Sequence, residues 1–165
     1  MHRRYGRDMR WLFSGICVVQ LVACTPGSFA SNSNATNVAG SSVARTLVID
    51  VDLTNDPANT TPGGIGAGYA PIVATIAIGD AVRFHNSDGF PHTATSIAGT
   101  AFPSAYPFDG SALSAAGTTL SGGFSSGSLA PGTTSQAFVA DRSGTMLYGC
   151  FYHYGSPMRA AIVVR

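Results

Sequence analysis

Four side chains with soft or borderline donor atoms stand at spacings that allow them to meet at one metal ion. Near the C-terminus, Cys150-Phe151-Tyr152-His153-Tyr154-Gly155-Ser156-Pro157-Met158 sets out a thiol, an imidazole and a thioether as Cys-x2-His-x4-Met, and upstream His92 follows Pro91. A thiolate, two imidazoles and a weak thioether are the donor set of a copper electron-transfer site. Cu(I) favours soft, low-coordinate surroundings and Cu(II) favours nitrogen-rich tetragonal ones. A trigonal plane of two imidazoles and one thiolate with a distant thioether suits neither extreme, so both states can share one cage with little rearrangement. A bound metal would also deprotonate Cys150 and protect it.

The elements around these residues read as strands. From Arg45 the chain alternates, with Leu47, Ile49, Val51 and Leu53 set between Thr46, Val48, Asp50 and Asp52, the pattern of a half-buried strand. Further strand candidates are Ile72–Ile78, Ala81–Asn86, His92–Ile97, Thr134–Val139, Thr145–Cys150 and Ala160–Val164, mostly separated by Gly, Pro, Asp or Ser. Met146, Tyr148 and Cys150 fall on one face of their strand, so the thiol can point inward as the strand ends. The following loop can then return His153 and Met158 toward it, while His92 comes from elsewhere in the fold. A backbone N–H near Thr93 is expected to hydrogen-bond the sulfur and tune the potential. Residues 98–132, rich in Gly, Ser and Ala, are too long for a routine connection. They either shape a site or partner surface or form a surface excursion pinned by a few aromatics, Phe102, Tyr106, Phe108 and Phe124 standing among them.

Composition supports the strand reading. The chain has 165 residues, enough for one domain with a real core. Charged residues make up 10%, all basic ones are Arg and all acidic ones Asp. Without Lys or Glu it lacks two strong helix formers, and its 20 Gly and 9 Pro suit turns between short strands. The expected fold is all-β, a sandwich of about seven or eight strands. A formal net charge of +1 gives no electrostatic footprint for nucleic acid.

That charge belongs to a chain expected to be trimmed. Arg3, Arg4, Arg7 and Arg10 precede a mostly apolar run from Trp11 to Ala23, the pattern of an export signal and too short for a membrane-spanning helix. Residues 1–23 are therefore assigned to a signal peptide, 24–44 to a Ser/Asn/Gly-rich tether, and 45–165 to the folded domain. Leu21-Val22-Ala23-Cys24 resembles the lipobox of bacterial lipoproteins, which implies lipidation at Cys24 and a membrane anchor. The alternative is cleavage after Ala30, in the small-x-small sequence Ser28-Phe29-Ala30, giving a soluble periplasmic protein. Removing residues 1–23 takes away four Arg and one Asp, leaving five Arg against seven Asp, a mildly acidic chain of about −2. Cys17 leaves with the leader, and with Cys24 lipidated Cys150 is the one remaining thiol.

The copper-ligand segment, together with Pro91-His92 and Phe124–Gly132 followed by a strand, resembles the plastocyanin/pseudoazurin group of cupredoxins over about residues 45–165. The resemblance implies a Greek-key β-sandwich holding one type 1, or blue, copper ion, with His92, Cys150 and His153 as equatorial ligands and Met158 as the axial one. Tyr152 stands where these loops often have Pro, and Thr93 where Asn often follows the first His.

Rival readings make definite counter-predictions. Zinc would use Cys150, His153, His92 and His85, but this leaves Met158 unexplained, and His85 shares no face with the apolar Val82 and Phe84. Asp50, Asp52 and Asp56 are expected to be solvated. Beyond a copper site, only His85 would remain in the exported chain, too little histidine for the added copper centres of multicopper oxidases or copper nitrite reductases, so an enzyme is not expected. The expected role is one-electron transfer between a redox donor and acceptor in the cell envelope. His153 would be the solvent-side port, with Phe90, Pro91, Phe151, Tyr152 and Tyr154 around it. The alternatives are copper delivery or tolerance, and a metal-free adhesive domain.

Overall fold

The computed structural model describes residues 43–54 and 67–165; the leader assignment, Cys24, Ala30 and Asp56 lie outside the described residues. The described residues belong to one compact unit. Alternation in the sequence becomes alternation in burial. In β1 (Thr46–Val51), Ile49 and Val51 are fully buried and Val48 is exposed, because successive side chains of a strand face opposite sides. In β4 (Ala81–Asn86), Val82, Phe84 and Asn86 point inward and Arg83 outward.

The described strands also include β2 (Tyr69–Ala70), β3 (Val73–Ile76), β5 (Thr95–Ile97), β6 (Ala115–Ala116), β7 (Ser125–Ser126), β8 (Phe138–Val139), β9 (Gly144–Gly149) and β10 (Arg159–Val164). They form two mixed sheets, β2-β1-β4-β8 and β3-β10-β9-β5-β7-β6. β1 and β4 are parallel neighbours, as are β3 and β10. Parallel neighbours cannot be joined by a tight hairpin. Here the chain crosses between sheets instead, with β3 lying in the second sheet while β1 and β4 lie in the first.

The two inner faces share one core. Ile49, Val51, Phe84 and Phe138 from the first sheet meet Ala74, Tyr148, Ala160, Ile162 and Val164 from the second. Phe84 is its hub, its ring 5.2 Å from that of Tyr148, 5.9 Å from Phe124, 6.0 Å from Phe138 and 6.4 Å from Tyr69. This is the all-β sandwich that the composition predicts.

Three segments differ from their sequence expectations for local physical reasons. The candidate strand Thr134–Val139 is regular only at Phe138–Val139. Ser135 Oγ accepts the Phe84 N–H at 3.0 Å, so a side-chain oxygen stands where a ladder carbonyl would be expected. The candidate His92–Ile97 begins its ladder only at Thr95, with His92 making an isolated bridge to Leu129. The 98–132 stretch contains a 3-10 turn, Gly110–Leu113, and supplies β6 and β7 to the edge of the second sheet. Ser125-Ser126 carries no strand signal in the sequence, since serine lacks the branched or aromatic bulk that strands favour. The same excursion brings Phe102 and Phe108 against Ile97, Leu147, Tyr154 and Ala161, a second apolar cluster beside the main core.

Phe84→Ala should lower unfolding free energy by about 3–5 kcal/mol, because it removes a fully buried ring whose neighbours are themselves held by both sheets. Urea denaturation followed by tyrosine fluorescence measures this. A loss under about 1 kcal/mol would contradict the hub assignment.

Candidate metal centre

The first half of the site is built on the exit from β4. Asn86 is fully buried, and all its polar atoms are used. Its Nδ2 donates to the carbonyls of Phe90 (2.8 Å) and Leu129 (2.9 Å), and its Oδ1 accepts the Asp88 N–H at 3.0 Å. These bonds coil residues 86–90 into a tight turn. His92 follows, its N–H donating to the Leu129 carbonyl and its carbonyl accepting the Leu129 N–H. Backbone and side chain are both fixed, and His92 is fully buried.

The second half comes from the end of β9. Tyr148 and Cys150 face the core as expected for alternate residues, and both are fully buried. The Cys150 N–H donates to the Met158 carbonyl at 3.0 Å, and the N–H groups of Ser156 and Met158 both donate to the His153 carbonyl, at 2.9 and 3.1 Å. The loop is thereby closed on itself, holding His153 and Met158 to the cysteine end. Thr93 joins the halves. Its N–H donates to Cys150 Sγ at 3.4 Å, its Oγ1 accepts the Phe151 N–H at 2.8 Å, and its carbonyl accepts the Tyr69 hydroxyl at 2.5 Å. The sequence reading expected a backbone N–H near Thr93 to meet the sulfur, and the Thr93 N–H does so.

His92, Cys150 and His153 converge as a result. Cys150 Sγ lies 3.6 Å from the Nδ1 atoms of His92 and His153, and the two nitrogens lie 3.1 Å apart. A triangle with these sides has a circumradius of about 2.0 Å, the length of a metal–nitrogen bond and slightly under a metal–sulfur one. The donor chemistry and spacing therefore fit a single soft-to-borderline cation. Burial pushes the Cys150 thiol up from its ordinary value, against the N–H groups of Thr93, Tyr152 and His153, which favour the thiolate. His153 is held below the usual histidine range by burial and by His92 beside it, which favours the neutral ligand form.

Met158 is fully buried, and its thioether arm packs on Gly68, a glycine at φ +90. A Cβ built there would lie 2.8 Å from Met158 Cγ and 3.1 Å from Sδ, so the absence of a side chain at position 68 makes the room the methionine occupies. His85 sits apart from the cluster, its Nδ1 2.8 Å from Thr134 Oγ1. The aromatic surround divides: Phe90, Pro91 and Tyr152 are exposed, Phe151 is half-buried, and Tyr154 is packed inward with its hydroxyl on the Pro103 carbonyl at 2.8 Å.

Sequence reasoning missed Asp88. This buried carboxylate lies 3.0 Å from His92 Nε2, on the side of the ring away from Cys150. Burial alone would raise its pKa, but the Thr54 hydroxyl, His92 and the N–H groups of Gly89 and Leu53 hold it well below the usual carboxylate range. The signal available was an acidic residue four positions before the candidate ligand, in a turn headed by Asn86.

No protein-family model matches the sequence, and no curated protein matches it. Solved structures do match. A purple cupredoxin from Nitrosopumilus maritimus is 19% identical, with a TM-score of 0.44, covering 74% of this chain and all of its own. A mutant plastocyanin of fern is 17% identical, with a TM-score of 0.46, covering 72% of this chain and all of its own. A mutant of amicyanin in the Cu(I) form is 17% identical, with a TM-score of 0.44, covering 72% of this chain and 82% of its own.

Proposed function

We propose that this chain is a type 1 blue copper protein that carries one electron at a time in the cell envelope. The observation that carries the reading is the convergence of His92 Nδ1, His153 Nδ1 and Cys150 Sγ within 3.6 Å of one another. Met158 is buried, and its backbone is hydrogen-bonded to Cys150 and His153 at the spacing of a copper loop, which supports its role as a fourth, weak thioether donor. Copper held there would alternate between Cu(II) and Cu(I). The residues around it favour a fixed cage: the backbone bonds of Thr93, Leu129 and Met158 restrain all three segments, so the donor atoms need little rearrangement when the charge changes.

Burial favours a carrier over a delivery protein. His92, Cys150 and Met158 are fully buried and His153 only partly so, an arrangement suited to passing an electron through the His153 edge and poorly suited to handing over the ion. Phe90, Pro91 and Tyr152 are the exposed part of the surround, a small apolar surface fit for brief encounters with a redox donor and acceptor. The Arg-headed apolar leader supports export, and the Leu21–Cys24 sequence supports a lipid anchor at Cys24, with cleavage after Ala30 as the soluble alternative. On this reading residues 24–44 tether the domain at 45–165.

The full chain should bind one copper per molecule and show an intense visible charge-transfer band, with an EPR spectrum of narrow copper hyperfine splitting. Cys150→Ser should abolish the band. Colourless copper protein, or colour that survives the substitution, would overturn the assignment. Gly68→Ala puts a methyl group against Met158 at a backbone angle that penalises any side chain. It should cost about 1–3 kcal/mol of stability and shift the charge-transfer bands of the copper form. An unchanged spectrum would remove Met158 from the ligand set.

A further inference from the structure

Asp88 is surrounded by hydrogen-bond donors. Its Oδ2 accepts the N–H groups of Leu53 (2.9 Å) and Thr54 (3.2 Å), its Oδ1 accepts the Thr54 hydroxyl (2.7 Å) and the Gly89 N–H (2.6 Å), and His92 Nε2 stands 3.0 Å from Oδ2. Four neutral donors aimed at one carboxylate leave it no role except acceptor, so the group is ionised. His92 Nε2 must then carry the ring proton. The other nitrogen, Nδ1, is left with its lone pair directed at Cys150 and His153, which is the tautomer a ligand needs.

The charge balance is equally constrained. Among the described residues, the one ionisable group within ion-pair distance of Asp88 is His92. A buried carboxylate without a cationic partner is costly, and the available counter-charge lies across the imidazole, at the cluster itself. A Cu(II) ion with one thiolate carries one net positive charge, and a Cu(I) ion with the same thiolate carries none. With Asp88 included, the oxidised site is neutral and the reduced site has an excess negative charge in a buried setting.

We infer that Asp88 is a positioning residue for the metal site, fixing His92 as the Nε2–H tautomer and stabilising the more positive state of the bound ion. The inference rests on the proposed copper reading for its redox part. Its tautomer part concerns this chain's own residues and stands without a metal.

Two variants of the copper-loaded full chain test it by equilibrium redox titration. Asp88→Asn keeps the shape but removes the charge, and should weaken Cu(II) relative to Cu(I) about tenfold, a rise in potential of ~59 mV for one electron. Thr54→Val removes a donor from the carboxylate at an exposed position, concentrating charge toward His92, and should move the potential the opposite way. A purely structural role would not give opposite signs. Long-range proton–nitrogen NMR on the copper-free full chain should show His92 protonated at Nε2, with that preference lost in Asp88→Asn. Potentials unchanged in both variants, or a His92 proton found on Nδ1, would overturn the inference. If Asp88→Asn fails to fold, the Thr54→Val potential decides. If the parent chain holds no coloured copper, the functional reading fails, and the NMR result alone decides whether Asp88 sets the tautomer.

Discussion

Two imidazole nitrogens that both present lone pairs do not rest 3.1 Å apart by mutual attraction, with a sulfur 3.6 Å from each. The surrounding backbone has to hold them there. Thr93 carries much of that duty: its N–H meets the sulfur, its hydroxyl meets the N–H of Phe151, and its carbonyl is held by Tyr69. One residue thus connects the His92 segment, the Cys150 loop and the aromatic core between the sheets. Tyr69 in turn packs against Tyr148 at 4.8 Å, so the junction is braced by the same rings that join the two sheets. The sandwich serves here as the rigid body against which the lone pairs are held in place.

The long 98–132 stretch acts in the same direction. Tyr106 donates its hydroxyl to the Phe151 carbonyl, Ser128 Oγ lies 2.9 Å from the Tyr152 hydroxyl, the Tyr154 hydroxyl reaches Pro103, and Leu129 bridges His92. Every one of these contacts joins the excursion to the candidate ligands or to residues between them. Two readings of this segment were open from the sequence, and its contacts favour the one in which it shapes the site. Its low apolar content follows, since most of its work is done by hydrogen bonds and a few rings laid against Ile97 and Leu147.

Much of the arrangement was legible because it is periodic or local. The alternation at Leu47, Ile49 and Val51 survives as burial in β1, and Ala81–Asn86 is a strand with the predicted bounds. Cys-x2-His-x4-Met places its first two donors by loop geometry alone. What escaped depends on contacts between distant residues. Nothing in Ser125-Ser126 announces a strand, because its pairing is set by β5 and β6 on either side. Asp88 reads as a turn residue until the end of β1 arrives with Leu53 and Thr54, some 35 positions earlier in sequence. Met158 fits only because Gly68, 90 positions away in sequence, carries no side chain.

The sparse charge of the chain gives that missed carboxylate its weight. With no Lys and no Glu in 165 residues, few groups can compete to neutralise a buried anion. Arg159, the cation on the strand that follows the Cys150–Met158 loop, is spent on rings, its guanidinium 4.9 Å from the Tyr154 centroid and 5.7 Å from that of Phe102. The other acidic groups with lowered pKa values, Asp80, Asp109 and Asp141, are half-buried in the first case and exposed in the other two, and are bound to serine hydroxyls or backbone N–H groups, where water screens them. Asp88 differs in being buried and in touching a candidate ligand. Among the described residues, that carboxylate and the N–H groups facing the sulfur are polar groups that act directly on the three donor atoms. One favours positive charge at the site and the others favour the thiolate, so their opposed effects would provide a way to adjust the potential of an ion bound there without changing the candidate ligands.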